Sequence, residues 1–150
     1  MMPNWFQKID RIFIYEMHRW AIPALRVALG LVFLWFGTLK IFGLSPVADL
    51  INATYSFFPN GFMIFLGVWE ILIGLGLIFK IFLRATLALL WLQMLGTLVA
   101  SILSPSLFFD GRNILKLTLY GEFVVKNLVL IAAGLVIGGY EVKSKDGIDR

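Results

Sequence analysis

Cysteine is absent and histidine occurs once, at His18. Without thiols the chain can form no disulfide, thiol relay or iron–sulfur centre, and one imidazole is too few for haem or a typical zinc site. No metal site and no covalent cofactor is therefore expected. Charge is scarce as well: 15% of residues are Asp, Glu, Lys or Arg, against about a quarter in soluble domains. The 13 basic and 9 acidic residues leave a formal charge of +4, but the cations are scattered and flank apolar runs. That distribution orients a membrane protein and excludes nucleic-acid binding as the main activity. What fills the chain instead is apolar: 60% of its 150 residues are hydrophobic and the mean hydropathy is +0.90. A 17.0 kDa globule could not hide that much apolar surface, so an ordinary soluble domain is excluded.

A helix that crosses a bilayer needs about 20 largely apolar residues. Four stretches qualify, at 22–41, 61–79, 85–102 and 118–138, which predicts an all-α, four-helix membrane bundle in residues 22–139. The first 20 residues are not expected to be a signal peptide, because Lys8, Asp10, Arg11, Glu16 and Arg19 interrupt any apolar core, and residues 1–21 read instead as a segment of their own. Trp5, Ile9, Ile12, Phe13 and Trp20 share one helical face, which predicts an interfacial amphipathic helix with His18 solvated. Residues 140–150 read as a polar tail.

Lys8, Arg11, Arg19, Lys80, Arg84, Lys143, Lys145 and Arg150 fall on one side, against Arg112 and Lys116 on the other with Lys40 at the rim. The positive-inside rule then places both termini in the cytoplasm. The connections 42–60 and 103–117 lie outside, and each carries a Ser-Pro (Ser45-Pro46, Ser104-Pro105) suited to start a short helix. Phe57, Phe58, Phe108 and Phe109 make both loops apolar enough to fold back as a lid.

An internal repeat is visible at an offset of 59. Gly37/Gly96, Thr38/Thr97, Leu39/Leu98, Leu44/Leu103, Ser45/Ser104 and Pro46/Pro105 are identical, whereas Lys40 corresponds to Val99. Two helix pairs as parallel pseudo-repeats explain the pattern.

Ionisable residues inside a span cost a few kcal/mol each on insertion scales, so each asks for a partner or a purpose. Arg26, Phe33 and Lys40 recur every seven residues, with Gly30 and Gly37 between them on one face. Glycine there lets a neighbouring helix or a ligand approach closely. Arg26 and Lys40 lie near helix ends and could also snorkel to the interfaces. Glu70 is too central and too short for that, and Gly67 and Gly74 flank it at helical spacing. Lys126 falls at a similar depth, roughly 12–14 Å from the outer rim at ~1.5 Å per residue, and suggests a direct Glu70–Lys126 pair. Gln93 and Asn127 reach the same level, and Glu122 lies one turn above Lys126. This polar layer is either a buried pair that fixes bundle register or a site for a headgroup, ion or proton. Phe33, Trp35, Trp69 and Trp91 are candidate walls, and an outward-opening cavity reaching Glu70 is the expected form.

The stretches RVALGLVFLWFGTLKIFG (26–43), LGVWEILIGLGLI (66–78) and GEFVVKNLVLIAAGLV (121–136), joined through QMLGTL (93–98), resemble the DoxX family. The resemblance covers most of 22–138 and implies a four-helix protein of the bacterial cytoplasmic membrane. It carries Gly37, Lys40, Glu70, Glu122, Lys126 and Asn127 as family-pattern positions. Some relatives are subunits of thiosulfate:quinone oxidoreductases, others belong to oxidative-stress or sulfur-redox complexes, and distant ones act as membrane chaperones or assembly factors. Thiol chemistry of related branches is excluded by the lack of Cys. The reading that follows is a subunit that is not an enzyme on its own, binding a quinone or lipid for a redox partner, alone or as a homo-oligomer. Its alternatives are a chaperone-like module docking other membrane helices through its glycine faces and a small solute or ion carrier.

Overall fold

The computed structural model describes residues 4–45, 61–110 and 116–142. Four long helices dominate: α1 (Asn4–Ile41), α2 (Phe62–Phe79), α3 (Leu83–Leu103) and α5 (Leu119–Glu141), with a single turn, α4 (Pro105–Phe108), between the last two. All four are long and apolar enough to cross a membrane. At ~1.5 Å per residue α2, α3 and α5 measure roughly 27, 32 and 35 Å, which matches a hydrocarbon core of about 30 Å.

The helix that carries the first span begins well before Ile22. Helix α1 runs unbroken for 38 residues, through Pro23, so the amphipathic segment is its N-terminal half rather than a separate element. Proline removes one helical hydrogen bond, and helices of membrane proteins tolerate that loss. Residues 5–21 are exposed all round. Trp20 donates from Nε1 to Glu16 Oε2 (3.0 Å), one turn earlier.

Helix ends follow local chemistry. Helix α1 stops in a left-handed Gly43 (φ 68°), with Leu44 N bonded to Leu39 O at 2.8 Å, the glycine-terminated ending that satisfies last-turn carbonyls. Ser104 precedes α4 and Pro105 opens it, as the Ser-Pro pair predicts, although the Ser104 side chain makes no capping bond. The Ser45-Pro46 helix, Phe57, Phe58, Arg112 and the tail beyond Val142 lie outside the described residues.

Consecutive long helices run antiparallel. Gly37 meets Gly67 and Gly30 meets Gly74 across α1 and α2; a Cβ added at Gly37 would sit 2.6 Å from Gly67 O, and one at Gly74 2.7 Å from Leu34 N. The two backbones therefore touch, as small residues allow in membrane bundles. Thr86 packs on Gly76, and Leu90 and Trp91 pack on Gly134, so α1 parallels α3 and α2 parallels α5. This is the arrangement the repeat requires.

Toward the 80–82 turn the interior is packed: Leu29, Ile73, Leu77, Leu87, Leu90 and Ile137 form one core cluster. Arg26 locks this end. Its Nη1 donates to Leu77 O and to Ile78 O (2.9 Å for the latter), two carbonyls that the end of α2 leaves without helical partners. Its Nε lies 2.9 Å from Glu141 Oε2, an ion pair by distance without hydrogen-bond alignment, and Lys80 reaches the other Glu141 oxygen at 3.4 Å. Arg26→Met should lower stability by about 1.5–3 kcal/mol, the range for hydrogen bonds from charged donors. Unfolding followed by circular dichroism in micelles reads this, and an unchanged midpoint would refute it.

A candidate ligand site in the open half of the bundle

Beyond Phe33 and Met94 the helices separate around a cavity of about 390 Å³. Its walls are mainly aromatic and aliphatic: Phe33 and Phe36 from α1, Phe62, Phe65 and Trp69 from α2, Tyr120 and Phe123 from α5. Phe108 of α4 also lines it and is fully buried. The described part of the 103–117 connection, at Phe108, thus folds back over the bundle, as that phenylalanine suggests. Thr118 fastens it by donating from Oγ1 to Leu107 O (2.6 Å) and from its backbone N to Phe108 O (3.1 Å). Gly121 is required beneath this turn, because an added Cβ would strike Phe108 O.

The polar face of the cavity is built on Glu70. Lys40 Nζ donates to both carboxylate oxygens, at 2.8 and 2.6 Å, and both side chains are only 7% exposed. Gln93 donates from Nε2 to Glu70 Oε1, which turns its own Oε1 into a buried acceptor without a partner among the described residues. One turn along α3, Thr97 Oγ1 accepts from Asn127 Nδ2 (2.8 Å) and donates to Met94 O (2.8 Å). Lys40, Glu70, Gln93, Thr97 and Asn127 all line the cavity.

The expected partner of Glu70 is therefore corrected. Lys126 does not reach it: its side chain is 68% exposed, lies 5.7 Å from the Phe123 ring and 3.8 Å from Glu122, and both charges sit on the outside of the bundle. Depth arithmetic places residues at one height but says nothing of the direction they point. The Lys40–Glu70 pair follows from the glycine contact. Lys40 lies one turn past Gly37 and Glu70 one turn past Gly67, and side chains lean toward their own helix N-terminus, so on antiparallel helices these two lean toward each other.

Arg26 is likewise removed from the site. It is 14 residues before Lys40, ~21 Å along the helix, and serves the opposite end of the bundle. Gly37 acts in helix packing and does not line the cavity. Trp35 is exposed, and Trp91 is spent against Gly134, so neither is a cavity wall. Glu141, treated as tail, belongs to α5 and pairs with Arg26. Its depth at the end of the fourth span was the available clue.

The two repeats have diverged around this site. Gly37 is jammed against α2, whereas a Cβ on its counterpart Gly96 would meet no described atom within 4 Å, and Gly96 lines the cavity. A family model described as DoxX matches residues 21–102, more than half of the chain. The chain belongs to the DoxX family. No curated protein and no solved structure matches it. The DoxX match contains Lys40, Glu70, Gln93 and Thr97, three helices' share of the polar face, while Asn127 on α5 lies beyond it.

Proposed function

We propose that this DoxX-family membrane protein is a non-catalytic subunit whose cavity holds one lipid-like amphiphile, with a quinone as the favoured occupant. The observation that carries the reading is an apolar space of about 390 Å³ ending on the buried Lys40–Glu70–Gln93 group. That volume falls among ligand sites of about 300–1,000 Å³, which pair apolar walls with a few convergent polar groups. The ion pair is neutral overall, which suits an uncharged head. The buried Gln93 Oε1 is an acceptor without a partner among the described residues, and a hydroxyl on the head, such as the reduced form of a quinone carries, would supply its donor. The Gly30–Gly37 face that a helix-docking module would offer is occupied within the chain by Gly74 and Gly67. Association with a redox complex is supported by the resemblance to subunits of thiosulfate:quinone oxidoreductases, and the chain has no cysteine with which to carry electrons itself.

Solvent extraction of purified protein followed by mass spectrometry should recover close to one quinone or lipid per chain. Gln93→Leu should retain helix content and lose most of that ligand. An empty wild-type protein that copurifies stoichiometrically with another membrane protein would overturn the reading. The family resemblance supports placing the protein in a bacterial cytoplasmic membrane, and the charge asymmetry supports both termini inside. Cysteine introduced at Asp110 should then react with an impermeant thiol reagent on whole cells, and one at Lys143 should not. The reverse pattern would invert the orientation.

A further inference from the structure

We infer that this protein pairs with a second copy of itself along α1, through an apolar face that runs from the outer side of the first span to well beyond the bundle. The inference stands apart from the ligand reading above.

Past Ile22, α1 continues alone. Arg26 holds the end of α2, and Glu141 closes α5 at the same height, so the other long helices have ended. Residues 4–21 reach roughly 27 Å further at ~1.5 Å per residue. Their described ring and hydrogen-bond contacts are local: Trp5 on Phe6, Arg19 on Trp20, Trp20 on Glu16. A helix of this length is marginal by itself in water, and such helices owe their stability to the packing of an apolar face. Two rows of side chains, each with a period of seven, supply that face: Phe13, Trp20 and Val27, and Met17, Ala24 and Leu31. Together they alternate in steps of four and three, the pattern of two helices wound left-handed about each other. All six are exposed in the single chain. At 100° per residue they lie on the side of α1 turned away from the buried Leu29, Phe33 and Lys40, so a second bundle would not collide with the first.

This face crosses the rim of the bundle between Trp20 and Ala24 without changing character, and that selects its occupant. Lipid can cover Val27 and Leu31, but the unbroken helix carries Met17 and Phe13 away from the bilayer rather than along it. A second copy in the same orientation presents the same face at the same heights on both sides of the rim. A two-fold axis along the membrane normal then sets each row against its own counterpart, the self-complementary contact of a symmetric dimer. Charge agrees with this arrangement. Lys8, Arg11, His18 and Arg19 fall on other sides of the helix, which keeps the cations of the two copies apart. Glu16 stands at the margin of the face and is engaged by Trp20 Nε1. The chain beyond Val142 is too polar to supply the cover instead, since Ile148 is the one apolar side chain in 143–150.

The lack of native cysteine makes the test direct. Met17→Cys and Ala24→Cys on the face, and Tyr15→Cys and His18→Cys off it, are introduced one at a time into the full-length protein in membranes and treated with a short bis-maleimide. The two face positions should give a product of twice the 17.0 kDa chain mass, at least fivefold more of it than the other two. Light scattering in micelles should give the wild type the protein mass of two chains. Met17→Glu with Trp20→Glu should give the mass of one, with helix content kept. Equal product at all four positions, no product at any, or a double variant that keeps the doubled mass overturns the pairing. So does a product of another mass at Met17, which would mark a different protein on this face. Quenching of a fluorophore on Met17→Cys by doxyl-labelled lipid, without cross-linked product, would show the segment lying on the bilayer and overturns it too.

Discussion

Lys40→Met should destabilise the bundle by about 3–5 kcal/mol, the range found when one partner of a buried ion pair is removed. The Glu70 carboxylate would be left in an apolar interior with Gln93 as its remaining donor among the described residues, and Lys126 could not replace Lys40, since it points outward. The double variant Lys40→Met with Glu70→Leu should recover most of the loss, because a buried pair replaced by apolar groups of similar volume is often neutral or better. Exchange of the charges, Lys40→Glu with Glu70→Lys, should recover part of it. Exchange of Glu70 with Lys126 should recover nothing. Chemical unfolding in micelles distinguishes these outcomes, and rescue by the Glu70–Lys126 exchange would contradict the pairing described here.

A second pair of variants separates packing from ligand binding. Gly37→Leu should prevent assembly of the bundle or lower its melting temperature by tens of degrees. Even the first carbon would lie 2.6 Å from Gly67 O and 2.9 Å from Ile71, and neither backbone can yield without parting α1 from α2. Overpacking of a tight interior costs typically 1–3 kcal/mol where side chains can shift, and a backbone contact leaves less room. Gly96→Leu, the same change at the matching position of the second repeat, should cost far less, since Gly96 lines the cavity and replacing a helix-interior glycine is worth about 1 kcal/mol. Its bound ligand should fall at least fivefold. Equal destabilisation by the two substitutions would refute the divergence of the repeats.

Much of this was legible without coordinates. Apolar runs of bilayer length, separated by polar breaks, specify four spans because an unsatisfied backbone inside lipid is prohibitive. Glu70, Gln93 and Asn127 stand out because polar groups are rare in such runs, and the structure places all three on one cavity. Lys40 was legible as an interior cation but its partner was not. The continuity of α1 was hidden too, since Pro23 does not break it and no capping residue divides the amphipathic segment from the apolar run.

Sequence alone thus determined the solvent of this protein, its number of crossings, its repeat and the depth of its polar residues, all of which depend on order along the chain. Tertiary structure decided azimuth: which face of each helix turns inward. The closest approach of two backbones settled that question, with Gly30 and Gly37 seated on Gly74 and Gly67. From that contact follow the choice of Lys40 over Lys126 and the transfer of Arg26 to the far carbonyls of α2. A helix rotates by 100° per residue while rising only ~1.5 Å, so residues at one depth can face opposite ways, and only packing against a neighbour distinguishes them.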